Sequence, residues 1–221
     1  MAIEDLAARI PKHLLERSGK VFYSGRNAFS SACSVYLLGV NPGGTPDNHA
    51  TDTVRSHTNS VLHTLPDDWS AYRDESWEGA TPGTYGMAPR VLHLLRRLGL
   101  SPGSVPASNL VFARSRREGD IHPNDMGAMA DACWPFHDYA IALLRPRVVL
   151  CFGKTSGKYV RRCLGADRLI GEFTEHNNRQ WRSRAFAGSG GINVVVATHP
   201  SIANWCVESA DITPLVQKAL Q

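Results

Sequence analysis

Four short apolar runs stand out along the chain: Val35–Val40, Leu110–Ala113, Arg147–Phe152 and Asn193–Ala197. Each is rich in Val, Leu or Ile and bounded by turn formers, the pattern of a strand buried on both faces. Between them apolar residues recur at helical spacing. Val91, Leu94, Leu95 and Leu98 follow the i, i+3, i+4, i+7 rule, with Pro89 ahead and Gly99 behind. Met126, Ala130, Cys133, Ile141 and Leu144 mark a second helix, bent at Pro135. Tyr159, Val160, Cys163 and Leu164 mark a third, ending at Gly165. Leu6, Ile10 and Leu14 suit an N-terminal helix interrupted at Pro11, and Thr213-Pro214 opens the last one. Strands alternating with helices predict an α/β fold, a three-layer α/β/α sandwich around a central four-stranded parallel sheet. The polar stretches 45–83 and 171–191 read as insertions on a single domain covering residues 1–221.

Composition narrows the class. Of 221 residues, 43% are hydrophobic and 20% charged, which excludes a disordered chain. The net charge of +4 excludes a histone-like polycation and permits a polyanionic partner. No run approaches the roughly 18 apolar residues of a membrane span. Glu4 and Asp5 stand where a secretory signal carries basic residues. The expectation is a soluble, cytoplasmic chain with no membrane partner. The five cysteines contain no C-x-x-C pair, so neither a zinc ribbon nor a redox pair is expected, and most should be buried thiols. Gly153-Lys154-Thr155 looks like the end of a phosphate-binding loop, but Val148 stands where that motif needs its first glycine.

In parallel α/β sheets the ligand site forms beyond the carboxyl ends of the strands. Three such ends carry suggestive residues. In Gly39-Val40-Asn41-Pro42-Gly43-Gly44, Asn41 presents a carboxamide, Pro42 sets the turn, and Gly43-Gly44 lets a ligand approach the backbone. Asn109 lies at the mouth of the Leu110–Ala113 run; an amide both donates and accepts, as the edge of a uracil-like base requires. Thr198-His199-Pro200-Ser201 puts a histidine at a strand tip before a turn that should open a helix, with backbone N–H groups suited to a phosphate. Each feature alone is also an ordinary turn or loop.

Together these motifs resemble the uracil-DNA glycosylase superfamily. GVNPGG is similar to the first motif of its single-strand-selective and mismatch-specific branches, HPS to the start of the second motif, and NLVFARS to the strand that supplies the base-reading Asn. NDMGAMADACWPFHDYAIALLRPRVVLCFG is similar to the helix–strand segment of the iron–sulfur branch, and the likeness covers roughly residues 35–205. The resemblance implies a monofunctional DNA glycosylase that hydrolyses the N-glycosidic bond of uracil or a related deaminated base. It implies DNA as partner, with a possible preference for single strands, and a monomer. His199 and Asn41 are then catalytic: His199 donates to uracil O2, and the Asn41 oxygen holds the attacking water. Asn109, Tyr85, Gly39 and Val40 bind the base, Tyr85 by stacking, while Gly43, Gly44, Ser201, Arg114, Arg116 and Arg117 contact DNA or phosphate.

Departures from the family matter. Only Cys133 matches a cluster cysteine and Ala113 occupies another such position, so no iron–sulfur cluster, metal or other cofactor is expected. Ala203 is too small to wedge into a DNA stack; Ile202 or Trp205 could replace it. RREGDIH partly resembles a basic loop whose His bonds covalently to the sugar, which makes His122 a candidate for covalent trapping. The alternatives are a non-catalytic or covalent uracil-DNA-binding protein of the same fold, or a nucleobase- or nucleoside-binding domain.

Overall fold

A computed structural model describes residues 3–221. In chain order the regular elements are α1 (Ile3–Ala7), β1 (Val35–Gly39), α2 (Val54–His63), α3 (Ala71–Asp74), α4 (Ala88–Arg97), β2 (Ala107–Asn109), α5 (Pro123–Leu144), β3 (Val148–Phe152), α6 (Lys154–Cys163), β4 (Arg168–Thr174), β5 (Arg182–Ala187), β6 (Asn193–Ala197) and α7 (Thr213–Ala219). The fold is α/β, and its sheet has six strands in the order β2-β1-β3-β6-β5-β4. The β2-β1-β3-β6 part is parallel, and β5 and β4 join it antiparallel. The sheet is therefore mixed and larger than the expected four parallel strands.

Strands β1 and β3 are buried at every position, as their unbroken apolar runs require. The two added strands come from the polar stretch 171–191 and the residues just before it. In β5 the buried Ser183 and Ala185 alternate with the exposed Arg182 and Arg184, so it reads as polar although it pairs throughout. Glu172 of β4 faces Arg184 across the ladder and accepts from its Nε at 2.6 Å, a cross-strand ion pair near the sheet edge. Stretch 45–83 holds α2, whose buried face includes His57 and Thr58 beside Val54 and Val61.

Strand β2 is Ala107–Asn109, three residues earlier than the apolar run suggests. The chain passes the end of β1 while Leu110 N and Val111 N still donate to the Gly39 and Val40 carbonyls, at 3.0 and 2.8 Å. Phe112 then packs edge-on against Phe136 of α5, with ring centroids 5.2 Å apart. The run is apolar because it is core, not because it is ladder. Of the thiols, Cys133 and Cys151 are buried and Cys33 is half-buried, whereas Cys163 and Cys206 are exposed. Among the described residues no helix is long and apolar enough to cross a membrane.

Candidate functional site

The carboxyl ends of β2, β1, β3 and β6 lie side by side on one edge of the sheet. They deliver Asn109, Asn41, Gly153 and His199. Parallel neighbours are about 4.8 Å apart, so the β1 and β6 ends stand roughly 10 Å from one another.

Asn41 is half-buried, two residues beyond β1. Its amide nitrogen donates to the Pro42 carbonyl and to Ser115 Oγ, each at 2.9 Å. With both hydrogens used, Oδ1 remains an acceptor without a partner among the described residues. Ser115 is itself fixed: its N–H donates to the Pro42 carbonyl at 3.2 Å and its hydroxyl to the Arg117 carbonyl at 2.8 Å.

Asn109 ends β2, in register with Gly39. A Cβ on Gly39 would fall 2.1 Å from Asn109 Oδ1, so only glycine lets the carboxamide lie against the next strand. Asn109 is 5% exposed, and its Nδ2 is buried with no hydrogen-bond partner. An unpaired buried donor costs about 1–3 kcal/mol, which an acceptor on a ligand would recover. Beneath it the Leu110 carbonyl accepts from His137 Nε2 at 3.3 Å, and His137 Nδ1 accepts from the Tyr36 hydroxyl at 2.9 Å. Those bonds define a neutral imidazole, and burial pushes its pKa down to about 4. Tyr23 lies beside the carboxamide; burial first and the Glu75 charge second raise its phenol well above the ordinary value. Lys20 hydrogen-bonds Glu75 and lies 3.9 Å from Asp52.

His199 follows β6. Its Nδ1 accepts from Ser201 N–H at 3.1 Å and stands 2.8 Å from Ser201 Oγ. The proton is thereby assigned to Nε2. The ring packs edge-on to Phe152, centroids 6.3 Å apart, and over Gly153, where a Cβ would meet it at 3.7 Å. Burial lowers the imidazole pKa and the nearby Glu118 carboxylate opposes that fall, so the net direction is downward. At neutral pH the ring is an uncharged N–H donor. Its loop is clamped by Arg90, which donates to the Pro200 carbonyl, and by Arg179, which donates to the Ile202 carbonyl at 2.7 Å.

Several expected site residues stand elsewhere. Arg114 does not face DNA. It is 9% exposed, and its guanidinium donates to Ser18 Oγ, the Gly43 carbonyl and Asp52. Removing it would break the ties to Ser18, Gly43 and Asp52 and leave Asp52 only the more distant Lys20. Arg114→Ala is expected to destabilise the fold by about 3 kcal/mol, read as a lower urea midpoint. Ser201 is not free for a phosphate either, because its N–H and hydroxyl serve the His199 ring. Val40 is a core side chain whose carbonyl is taken by Val111. The turn after His199 opens no helix; the next α-helix, α7, starts at Thr213. Trp205 is fully buried and cannot wedge DNA, while Ile202 is 52% exposed.

Other positions remain accessible as expected. Tyr85 is exposed, in the turn before α4. Gly43 has open space above it; Gly44 adopts φ +100, which glycine tolerates best. Arg116 and Arg117 are exposed. Arg116, Gly44, His49 and Gly79 help line a cleft of about 570 Å³ next to the Asn41 turn. His122 is the N-cap of α5, its Nδ1 accepting from Asn124 N–H at 3.3 Å, and neither Asn41 nor His199 is its hydrogen-bond partner. The arginines around Trp181 are compensated: Arg179 pairs with Glu175, and Arg182 and Arg184 pair with Glu172.

Sequence reasoning misses Ser115, Glu118 and the Tyr23–Lys20–Glu75 group. Only the position of Ser115 and Glu118 just after an apolar run could flag them. Among the described residues no three His, Cys, Asp or Glu side chains come together to hold a metal ion. Compared with models of known protein families and with curated proteins, the chain matches none.

Proposed function

We propose that this chain is a cytoplasmic, monomeric DNA glycosylase that hydrolyses the N-glycosidic bond of uracil or a related deaminated base, without a cofactor. The proposal includes the three-layer sandwich and the kinship to uracil-DNA glycosylases that its motifs resemble. One observation carries it: the buried, unpaired amide nitrogen of Asn109 at a strand tip. That donor suits the O4 carbonyl of uracil, and the Asn109 oxygen suits N3–H. Cytosine, with an amine in place of O4, would set donor against donor.

The remaining roles follow from the local chemistry. As the glycosidic bond breaks, its electron pair moves onto the base and charge develops at O2. The uncharged His199 Nε2–H donates there, and electrostatic stabilisation of this kind commonly contributes more to catalysis than any other single effect. Asn41 Oδ1 accepts from the attacking water and orients it toward C1′. Tyr85 offers a stacking surface, and Ile202 offers an apolar side chain to the gap left by an extruded base. Arg116 and Arg117 supply phosphate contacts.

The test uses a single-stranded oligonucleotide bearing one uracil, followed by alkaline cleavage of abasic sites. Cleavage that is lost in Asn41→Ala is expected. Asn109→Leu keeps the shape and removes the donor, so uracil release should fall about 10–100-fold in kcat/KM. Tight, salt-sensitive binding without release would instead identify a non-catalytic binder.

A further inference from the structure

A carboxamide cannot ionise, so Asn41 can hold water but cannot take its proton. The loop after β2 also carries a carboxylate. Asn41 is tied to Ser115, and the Ser115 hydroxyl is tied to the Arg117 carbonyl. The next residue is Glu118. Its Oε1 accepts from Thr155 Oγ1 in the first turn of α6, the helix that begins just after Gly153. The His199 ring lies over that same Gly153, and Glu118 is the charged group that bears on it. The loop that anchors Asn41 thus runs directly into Glu118, whose carboxylate is held at the start of α6 and whose charge bears on the His199 ring.

Three further facts favour a role in chemistry. Among the described residues no Lys or Arg pairs with Glu118, whereas Asp52 and Glu172 are both held in ion pairs. The turn that carries it is braced independently, by Arg117 N–H donating to Asp120 Oδ2 at 3.0 Å and Ile121 N–H to the Glu118 carbonyl at 3.1 Å. The fold therefore does not need the Glu118 side chain to shape the loop. The α6 N-terminus also attracts a carboxylate placed against it.

We propose that Glu118 is the general base of the reaction, an inference that rests on the glycosylase reading. The water held by Asn41 Oδ1 forms its bond to C1′ while its proton passes to the second Glu118 oxygen, Oε2. The C1′–N1 bond breaks, and its electron pair leaves with the base as an anion hydrogen-bonded by His199. The proton on Glu118 then returns through solvent to N1. The net change is one water added across the glycosidic bond. Thr155 is a positioning residue, since its hydroxyl donates to the carboxylate.

The experiment is single-turnover uracil release from the single-stranded uracil oligonucleotide, followed from pH 4.5 to 8. Glu118→Gln is expected to lower the rate about 10²–10³-fold. It should leave binding of an uncleavable analogue unchanged. Asn41→Asp placed in the Glu118→Gln background should restore part of the rate by returning a carboxylate to the water. Thr155→Val should cost several-fold at most and keep the wild-type pH profile. If Glu118→Gln stays within about threefold of wild type with the same profile while Asn41→Ala is inactive, the inference falls and the glycosylase reading stands. A wild-type chain that releases no base overturns both.

Discussion

Alanine in place of His199 is expected to lower single-turnover uracil release by about 10²–10³-fold, the cost of removing one preorganised donor from a developing oxyanion. Circular dichroism should not change, because the Pro200 and Ile202 carbonyls remain clamped by Arg90 and Arg179. The size of the effect depends on the protonation state. Two contacts from Ser201 on Nδ1 leave Nε2 as the donor, and burial keeps the ring uncharged. A neutral donor is less acidic than an imidazolium, and burial is what favours the neutral form here. Ser201→Ala should therefore cost about tenfold, since the ring loses one partner but retains the Ser201 N–H. A His199→Ala enzyme as fast as wild type would remove His199 from the chemistry.

The second large effect is acid destabilisation. His57 and His137 are buried and neutral, with pKa values pushed down to about 3 and about 4. For His57 burial acts first, then the positive charges of Lys20 and Arg114. Both rings titrate near 6.5 once the chain unfolds. The unfolded chain therefore binds protons that the folded chain refuses. Stability is full above pH 6.5 and is lost as pH falls toward each folded value. At pH 4.5 each ring has cost about 2–3 kcal/mol, against a total stability of order 5–15 kcal/mol. The melting temperature should drop by roughly 10 °C or more between pH 7 and 4.5. His57→Phe should flatten the slope, because Nδ1 of this ring has no partner to lose. Equal melting temperatures at the two pH values would contradict the buried neutral rings.

These effects differ in how legible their residues are in the sequence. Strands β1, β3 and β6 are legible because burial on both faces demands apolar runs. Strands β4 and β5 are not, since many of their positions face solvent and carry Arg or Glu. Ala-Ser-Asn of β2 has little strand propensity, and the brighter run beside it belongs to the core. Helix α2 hides for a related reason: part of its inner face is His57 and Thr58. Asn41, Asn109 and His199 can be found because a strand tip in a parallel sheet is a position with meaning in itself. Arg114 and Ser201 mislead because residue type says what a group can bind, not which neighbour reaches it first. Glu118 reads only as an interruption of a basic loop, since nothing local shows that the loop folds back onto Thr155.

The pairing of Gly39 with Asn109 has a consequence for folding. A three-residue parallel strand has few bonds with which to choose its alignment. Sliding β2 by one position would set the Asn109 carboxamide opposite Leu38 or Val40, neither of which leaves the gap that Gly39 leaves. The residue that would read a base thus also proofreads the strand pairing beneath it. Misaligned chains would lack the amide that the proposed function needs, so errors of assembly would yield inert protein.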